Sequence, residues 1–403
     1  MSIVSAPTAP SARPAPQASQ ASQGAPLRGV RVLDLTRLLP GPVCTQHLAD
    51  LGAEVIKIED TGAGDYAAAP VRALVNRNKL GLRLDLKQPA GLAVLQRLVR
   101  EADVLVEGFR PGVMARLGAG YEALAALNPR LVYVSLTGYG QTGPMRDAAG
   151  HDLNYAGWTG VAEQIGQPGQ PPALSNLPVA DLLGGTMTAV MGLLAALFDA
   201  QRSGLGRHVD IAVADGLLAH AVLPMAAVNS RGATQPPGQG KLTGALPCYA
   251  LYTAACGGHL AVAALERKFW DLFCLQLGRP DLQGQHQPAS AAECEVVRAE
   301  VQALIGAQTL AWWTERLAEV DCCVTPILKL EQALALPHFA ARGMVLPMAG
   351  GGRQLACPVR MTGFEFELRH PAPAPGEHTE ALLAAAGYSA AEREALRAQG
   401  AVA

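Results

Sequence analysis

Apolar runs of strand length alternate with helical stretches through the first third of the chain, and this alternation restricts the fold more than any other feature. The runs are Gly29-Val-Arg-Val-Leu-Asp-Leu, Gly52-Ala-Glu-Val-Ile-Lys-Ile-Glu, Asp103-Val-Leu-Val-Glu and Leu131-Val-Tyr-Val-Ser-Leu. After the first, Pro40-Gly-Pro stops the strand and a helix runs through Cys44 to Leu51. Helical patterns follow near residues 89–101, around Val113 and near residues 121–127. Strands joined by helices pair in parallel, so an open α/β sheet with crossover helices is expected. The stretch holding Asn76, Arg77 and Lys79 reads only as polar.

Residues 1–26 are mostly Ala, Pro, Ser and Gln and carry too little bulky apolar surface to offset the entropy of ordering, so they are expected to form a disordered tail. Asp181 reads as the N-cap of a long helix that stops at Ser203-Gly-Leu-Gly, after which His208-Val-Asp-Ile-Ala-Val returns as a strand and Asp215 opens another helix. The most apolar run, residues 182–198, contains three glycines and two threonines and reads as a buried core helix rather than a membrane span. Residues 228–244 are rich in Gly, Pro, Gln and Thr and read as a linker. Beyond them Cys248-Tyr-Ala-Leu-Tyr-Thr and His259-Leu-Ala-Val-Ala-Ala-Leu flank Ala-Ala-Cys-Gly-Gly, the pattern of an antiparallel hairpin leading into a helix at Glu266. The expected layout is a large domain over 27–227, a small α+β domain over 245–330, and a segment 331–403 that returns to the large domain.

With half of its 403 residues apolar and 16% charged, the chain can bury one large core or two moderate ones. A formal net charge of −2 with interspersed signs offers no basic stripe for nucleic acid. The eight cysteines form neither a Cys-x-x-Cys pair nor a zinc-spaced cluster with histidine, so no metal site and no disulfides are expected. No secretory signal is legible, and the expected compartment is the cytoplasm, with no membrane association.

The motifs of phosphate loops, serine hydrolases and zinc proteases are missing, which favours acid, base and carboxylate chemistry. Gly150-His151-Asp152 follows the turn-rich Gly138-Tyr-Gly-Gln-Thr-Gly-Pro segment, beyond the end of a strand where open α/β sheets place ligands. Asp181 precedes Gly184-Gly185, which would let a ligand approach the backbone at the positive end of a helix. On local grounds alone His151 is equally a loop residue, Asp181 a simple cap and Glu266 an ordinary first-turn carboxylate. The cations Arg77, Lys79, Lys87, Arg110 and Arg116 suit either a solvated face or a polyanionic cofactor.

Taken in order, the segments resemble the superfamily of family III CoA-transferases and α-methylacyl-CoA racemases, the CaiB/BaiF-like proteins. The resemblance runs from about residue 28 to 345. It rests on Gly29-Val-Arg-Val-Leu-Asp-Leu with Pro40-Gly-Pro, Leu51-Gly-Ala-Glu-Val-Ile-Lys-Ile-Glu, Asn76-Arg-Asn-Lys, Leu84-Asp-Leu-Lys, Glu107-Gly-Phe-Arg-Pro-Gly-Val, Arg116-Leu-Gly, Thr137-Gly-Tyr-Gly-Gln-Thr-Gly-Pro and Val324-Thr-Pro. It implies a large Rossmann-like domain, a small α+β domain and an interlocked homodimer. It also implies coenzyme A carried as part of the substrate, with no tightly bound cofactor, along loops bearing Leu38, Lys57, Leu84, Leu86, Lys87, Gly108 and Arg116, the cations meeting the phosphates.

Two chemistries follow from the resemblance. In the transferases the aspartate matched by Asp181 attacks a thioester and passes CoA to a carboxylic acid acceptor through an anhydride and an enzyme thioester. In the racemases that aspartate faces a histidine across the α-carbon. Gly150-His151-Asp152-Leu-Asn-Tyr, the segment around Asp181, and Glu266 matching the glutamate that supports the histidine resemble the racemase version. Arg267-Lys-Phe-Trp and Gly64-Asp65 resemble the transferases. The expected activity is therefore an α-methylacyl-CoA racemase, with a CoA-transferase drawing on a donor such as succinyl-CoA as the alternative. Inversion beside a thioester needs one base on each face and an enolate between them, roles that suit His151 and Asp181. A non-catalytic thioester binder is a third class, disfavoured because candidate groups occupy all three positions.

Overall fold

The computed structural model describes residues 24–62, 68–348 and 351–403. The segments through Tyr155, Val179–Leu217 and Met344–Ala403 form one compact unit, and Ala156–Pro178 with Leu218–Gly343 form a second.

In the first unit the four apolar runs and two further segments assemble one parallel sheet. Its strands are β1 (Arg31–Leu35), β2 (Glu54–Glu59), β3 (Lys79–Arg83), β4 (Val104–Glu107), β5 (Val132–Thr137) and β6 (His208–Ala212), in the order β3-β2-β1-β4-β5-β6. This is the doubly wound order whose direction reverses between β1 and β4, and the crevice beyond their C-terminal ends is where such sheets bind ligands. The connections carry α1 (Pro40–Asp50), α2 (Ala69–Val75), α3 (Pro89–Val99), α4 (Val113–Arg116), α5 (Tyr121–Leu127) and α6 (Asp152–Trp158). Before β6 comes a π-helical stretch, Ala180–Met187, that runs straight into α7 (Thr188–Ser203); α8 (Val213–Ala219) follows β6. Leu33, Ile56, Leu82, Leu95 and Leu105 form the heart of one core, and Leu382, Leu383 and Leu396 of the C-terminal helices close it.

The structure corrects several expectations in this unit. The polar stretch at Asn76 leads into a strand, β3, and its charges are buried: Arg77 pairs with Asp50 at 2.7 Å and Lys79 with Asp34 at 3.0 Å. Neither cation belongs to a solvated face or points to a ligand. The helix after Asp181 is covered on one side only. Ala189, Leu193, Ala196, Leu197 and Ala200 are buried, whereas Met187, Met191 and Phe198 are half or more exposed. Glycine lets it approach the sheet, since a Cβ at Gly192 would lie 3.2 Å from Val209. Residues 180–203 are long and apolar enough to cross a membrane by composition alone, but their buried face is occupied by α1, β5 and β6. Of the expected tail, residues 1–23 lie outside the described residues, as does Gly64-Asp65; order is present already at Ala25, whose carbonyl accepts from the Arg28 N–H.

The second unit is smaller and mixed. Besides residues 156–178 it takes in the chain from Leu218, where α9 (Val222–Arg231) follows α8, so what reads in sequence as a linker from residue 228 begins as the last turn of a helix. An antiparallel sheet of β7 (Tyr249–Thr253), β8 (His259–Ala263) and β9 (Val324–Pro326) packs with α10 (Arg267–Leu277), α11 (Ala291–Gly306) and α12 (Leu310–Leu317). Trp270, Phe273, Val301 and Ile305 centre its own core.

Candidate active site

His151 stands at the entrance to α6, just past the C-terminal edge of β5. Its backbone is fixed from several directions. The His151 N–H donates to Asn154 Oδ1 (3.1 Å), and its carbonyl accepts from the N–H groups of Asn154 (2.8 Å) and Tyr155 (3.2 Å). The Tyr155 hydroxyl donates to the Gly150 carbonyl at 2.6 Å. A Cβ on Gly138 or Gly150 would come within 2.5 or 2.6 Å of the Tyr155 ring, so both positions need glycine for that ring to brace the loop. The His151 residue itself is exposed on this rigid turn.

Asp181 lies in the first turn of the π-helical stretch rather than at its cap. The cap position is Val179, and the Asp181 N–H donates to Asp152 Oδ1 at 3.0 Å. The expected capping role is thus corrected: the helix starts earlier, and the partner of that backbone donor is another carboxylate. The neighbouring glycines also serve differently from the sequence reading. A Cβ on Gly184 would lie 2.4 Å from the Val213 carbonyl, and one on Gly216 would lie 2.1 Å from the Gly184 carbonyl. Gly185 sits 3.1 Å, by the same measure, from Pro40, whose carbonyl accepts from the Thr186 hydroxyl at 2.8 Å. The glycine faces meet α8 and the start of α1, not open space for a ligand.

Burial pushes the Asp181 carboxyl up to about 6, the negative charge of Asp152 adds to the rise, and His151 opposes it. The Tyr155 phenol is pushed up to about 12 by burial, with Asp181 contributing. His151, Asp152, Tyr155 and Asp181 thus form one electrostatic group, assembled from segments 29 residues apart in sequence. A carboxyl that holds its proton close to neutrality can both take and return one.

The residues expected along coenzyme A divide into three kinds. Leu38 (φ +64°, exposed) and Gly108 lie just beyond the ends of β1 and β4, at the crevice. Lys87 and Arg116 are exposed and carry no ion pair among the described residues. Lys57 is fully buried, its ammonium donating to the Thr36 carbonyl and lying 3.6 Å from Asp34, so its charge is directed inward; Leu84 is buried and Leu86 packs against the core. Arg110 is exposed. In the second unit Glu266 is an exposed N-cap residue of α10, its carbonyl accepting from Phe269 and Trp270.

Asp152, Asn154 and Tyr155 carried no role in the sequence reading. Their signal was the helix start itself, where an aspartate, an asparagine and a tyrosine follow the histidine within one turn.

The fold is a doubly wound α/β sheet that carries this carboxylate and imidazole group at its open edge, the class of an α/β enzyme acting on acyl-CoA. The protein belongs to CoA-transferase family III, whose model matches residues 27–379. It is similar to the α-methylacyl-CoA racemase of Mus musculus, 36% identical over 374 residues that cover 91% of this chain and 94% of the relative. It is also similar to the succinate–glutarate CoA-transferase of Agrobacterium fabrum, 34% identical over 388 residues covering 89% and 95%. Among solved structures, a CaiB/BaiF family protein from Brucella suis superposes with a TM-score of 0.80 at 29% identity, covering 90% of this chain and all of that one.

Proposed function

We propose that the protein is an acyl-CoA racemase that inverts the carbon next to the thioester by two-base proton transfer. The observation that carries this reading is the assembly of His151 and Asp181 into one electrostatic group, with the carboxyl raised to about 6. One base removes the α-proton, the enolate charge develops on the thioester oxygen, and the other base returns a proton to the opposite face. The acyl-CoA is the substrate and no separate cofactor enters; Lys87 and Arg116 meet its phosphates. Replacing either cation should raise KM severalfold with kcat little changed, the pattern of lost ground-state binding.

The alternative of CoA transfer to a carboxylic acid, with Asp181 as nucleophile, is supported by the likeness to the Agrobacterium fabrum transferase. His151→Ala separates the two: a racemase loses α-proton exchange, whereas a transferase keeps most of its acyl exchange between succinyl-CoA and added acids. The exposed apolar residues Met187, Met191 and Phe198 support an interlocked homodimer in which a second copy covers this face. All eight cysteines being free thiols supports a reducing, cytoplasmic setting. No nucleic acid or membrane enters the proposal.

A further inference from the structure

We infer that Asp152 is a positioning residue whose side chain holds the backbone of Asp181 against the turn that carries His151, and thereby fixes the spacing of the two bases. The inference rests on the two-base reading for its catalytic meaning, but the geometry stands by itself. Asp152 is the first residue of α6, immediately after His151, and its Oδ1 accepts from the Asp181 N–H at 3.0 Å. That donor belongs to the first turn of a helical segment and has no other partner among the described residues. One side chain therefore ties the two base-bearing segments together. The ends of the tie are stiff. The α6 turn is held by Asn154 and Tyr155, and the Asp181 turn by the Gly184–Gly216 approach and the Thr186 bond to Pro40.

The same carboxylate acts a second time through its charge. The charges acting on Asp181 are those of Asp152 and His151, and Asp181 in turn acts on the Tyr155 phenol; one turn further along, at Gly184 and Gly185, α1 and α8 approach through Pro40, Val213 and Leu217, which bear no side-chain charge. Within this group Asp152 is the one that disfavours ionised Asp181 by like charge. Ordinary helix-start geometry needs no carboxylate aimed at a second carboxylate's backbone, since an asparagine or serine satisfies the same N–H without repulsion.

Two variants separate anchor from charge. Asp152→Asn keeps an acceptor oxygen and removes the charge; Asp152→Ala removes both. The first readout is the titration of Asp181 by 13C NMR of carboxyl-labelled protein, its resonance assigned by its loss in Asp181→Asn. The second is the pH profile of α-deuterium exchange in an acyl-CoA. For Asp152→Asn the Asp181 midpoint should fall below that of the wild type, and the acidic limb of the exchange profile should move down with it while KM stays the same. For Asp152→Ala the maximal exchange rate should fall as well, on the order of 10²-fold, as misplacement of a base by about 1 Å costs. An unmoved Asp181 midpoint in Asp152→Asn, or a full maximal rate in Asp152→Ala, overturns the inference. If the wild type exchanges no α-proton with any thioester, the racemase reading fails, while the NMR midpoint still tests Asp152.

Discussion

An aspartate whose proton is held up to about pH 6 when folded is a cost to the folded state wherever it is ionised. The folded pKa of Asp181 lies above its ordinary value, so the stability it contributes is full in acid and is lost as pH rises through about 6. Asp181→Asn should therefore melt higher than the wild type at pH 8, with the difference vanishing below pH 4; equal melting temperatures at pH 8 would show that the site is not strained by this charge. Such a trade of stability for reactivity is common at active sites. His151 and Asp181 stood out in the sequence as candidates, His151 in a turn-rich segment beyond a strand end and Asp181 at a helix start before Gly184-Gly185, and the family resemblance supplied their roles. The bond between their segments was not. Nothing in the spacing says that Asp152 reaches across 29 residues to a backbone N–H, because that depends on how α6 lies over the sheet edge. Lys57, Arg77 and Lys79 show the opposite failure: their charge suggests a surface or a phosphate, and burial beside Asp34 and Asp50 decides otherwise.

At the scale of elements, the π-helical stretch, α8 and the start of α1 are joined where side chains are missing. Alanine is normally the better helix residue by roughly 1 kcal/mol. At Gly184, however, a Cβ would meet the Val213 carbonyl at 2.4 Å and the Leu217 N–H nitrogen at 2.8 Å, backbone atoms that cannot swing aside. Gly184→Ala should therefore destabilise by about 1–3 kcal/mol in denaturant unfolding, the range of overpacking. A neutral or stabilising result would mean that these elements are less closely joined. Most of the sheet could be read in advance, because β1, β2, β4 and β5 are apolar runs bounded by turns. β3 escaped because Asn76, Arg77, Asn78 and Lys79 precede or enter it, and polarity there means a buried ionic network rather than a loop. The wide turns of residues 180–187 left no sequence mark distinct from an α-helix.

Across the whole molecule, three adjacent strands are fastened by one carboxylate. Asp34 of β1 accepts from Lys79 of β3 and from the hydroxyls of Thr36 and Thr45, and lies beside Lys57 of β2. Burial alone would raise its pKa, but the two ammonium groups and the hydroxyls outweigh burial and hold it well below the usual carboxylate range. Its contribution is then present above pH 4 and lost in acid as pH falls toward the folded value. Asp34→Asn leaves two buried cations short of a counter-charge and should cost about 3–5 kcal/mol, as breaking buried pairs does. A loss below 1 kcal/mol in unfolding at pH 7 would remove this cluster from the account of the sheet. The doubly wound architecture was expected from the alternation of elements and from the resemblance.

The central claim is proton transfer at the α-carbon between His151 and Asp181. A single epimer of a 2-methylacyl-CoA, incubated with the protein in deuterated water without any acceptor acid, tests it most directly. The account predicts that the opposite epimer appears carrying deuterium at the α-carbon, and that His151→Ala abolishes its formation. Unexchanged, uninverted thioester, together with rapid formation of new thioesters once succinyl-CoA and free acids are added, would contradict it and make Asp181 the nucleophile of a CoA-transferase.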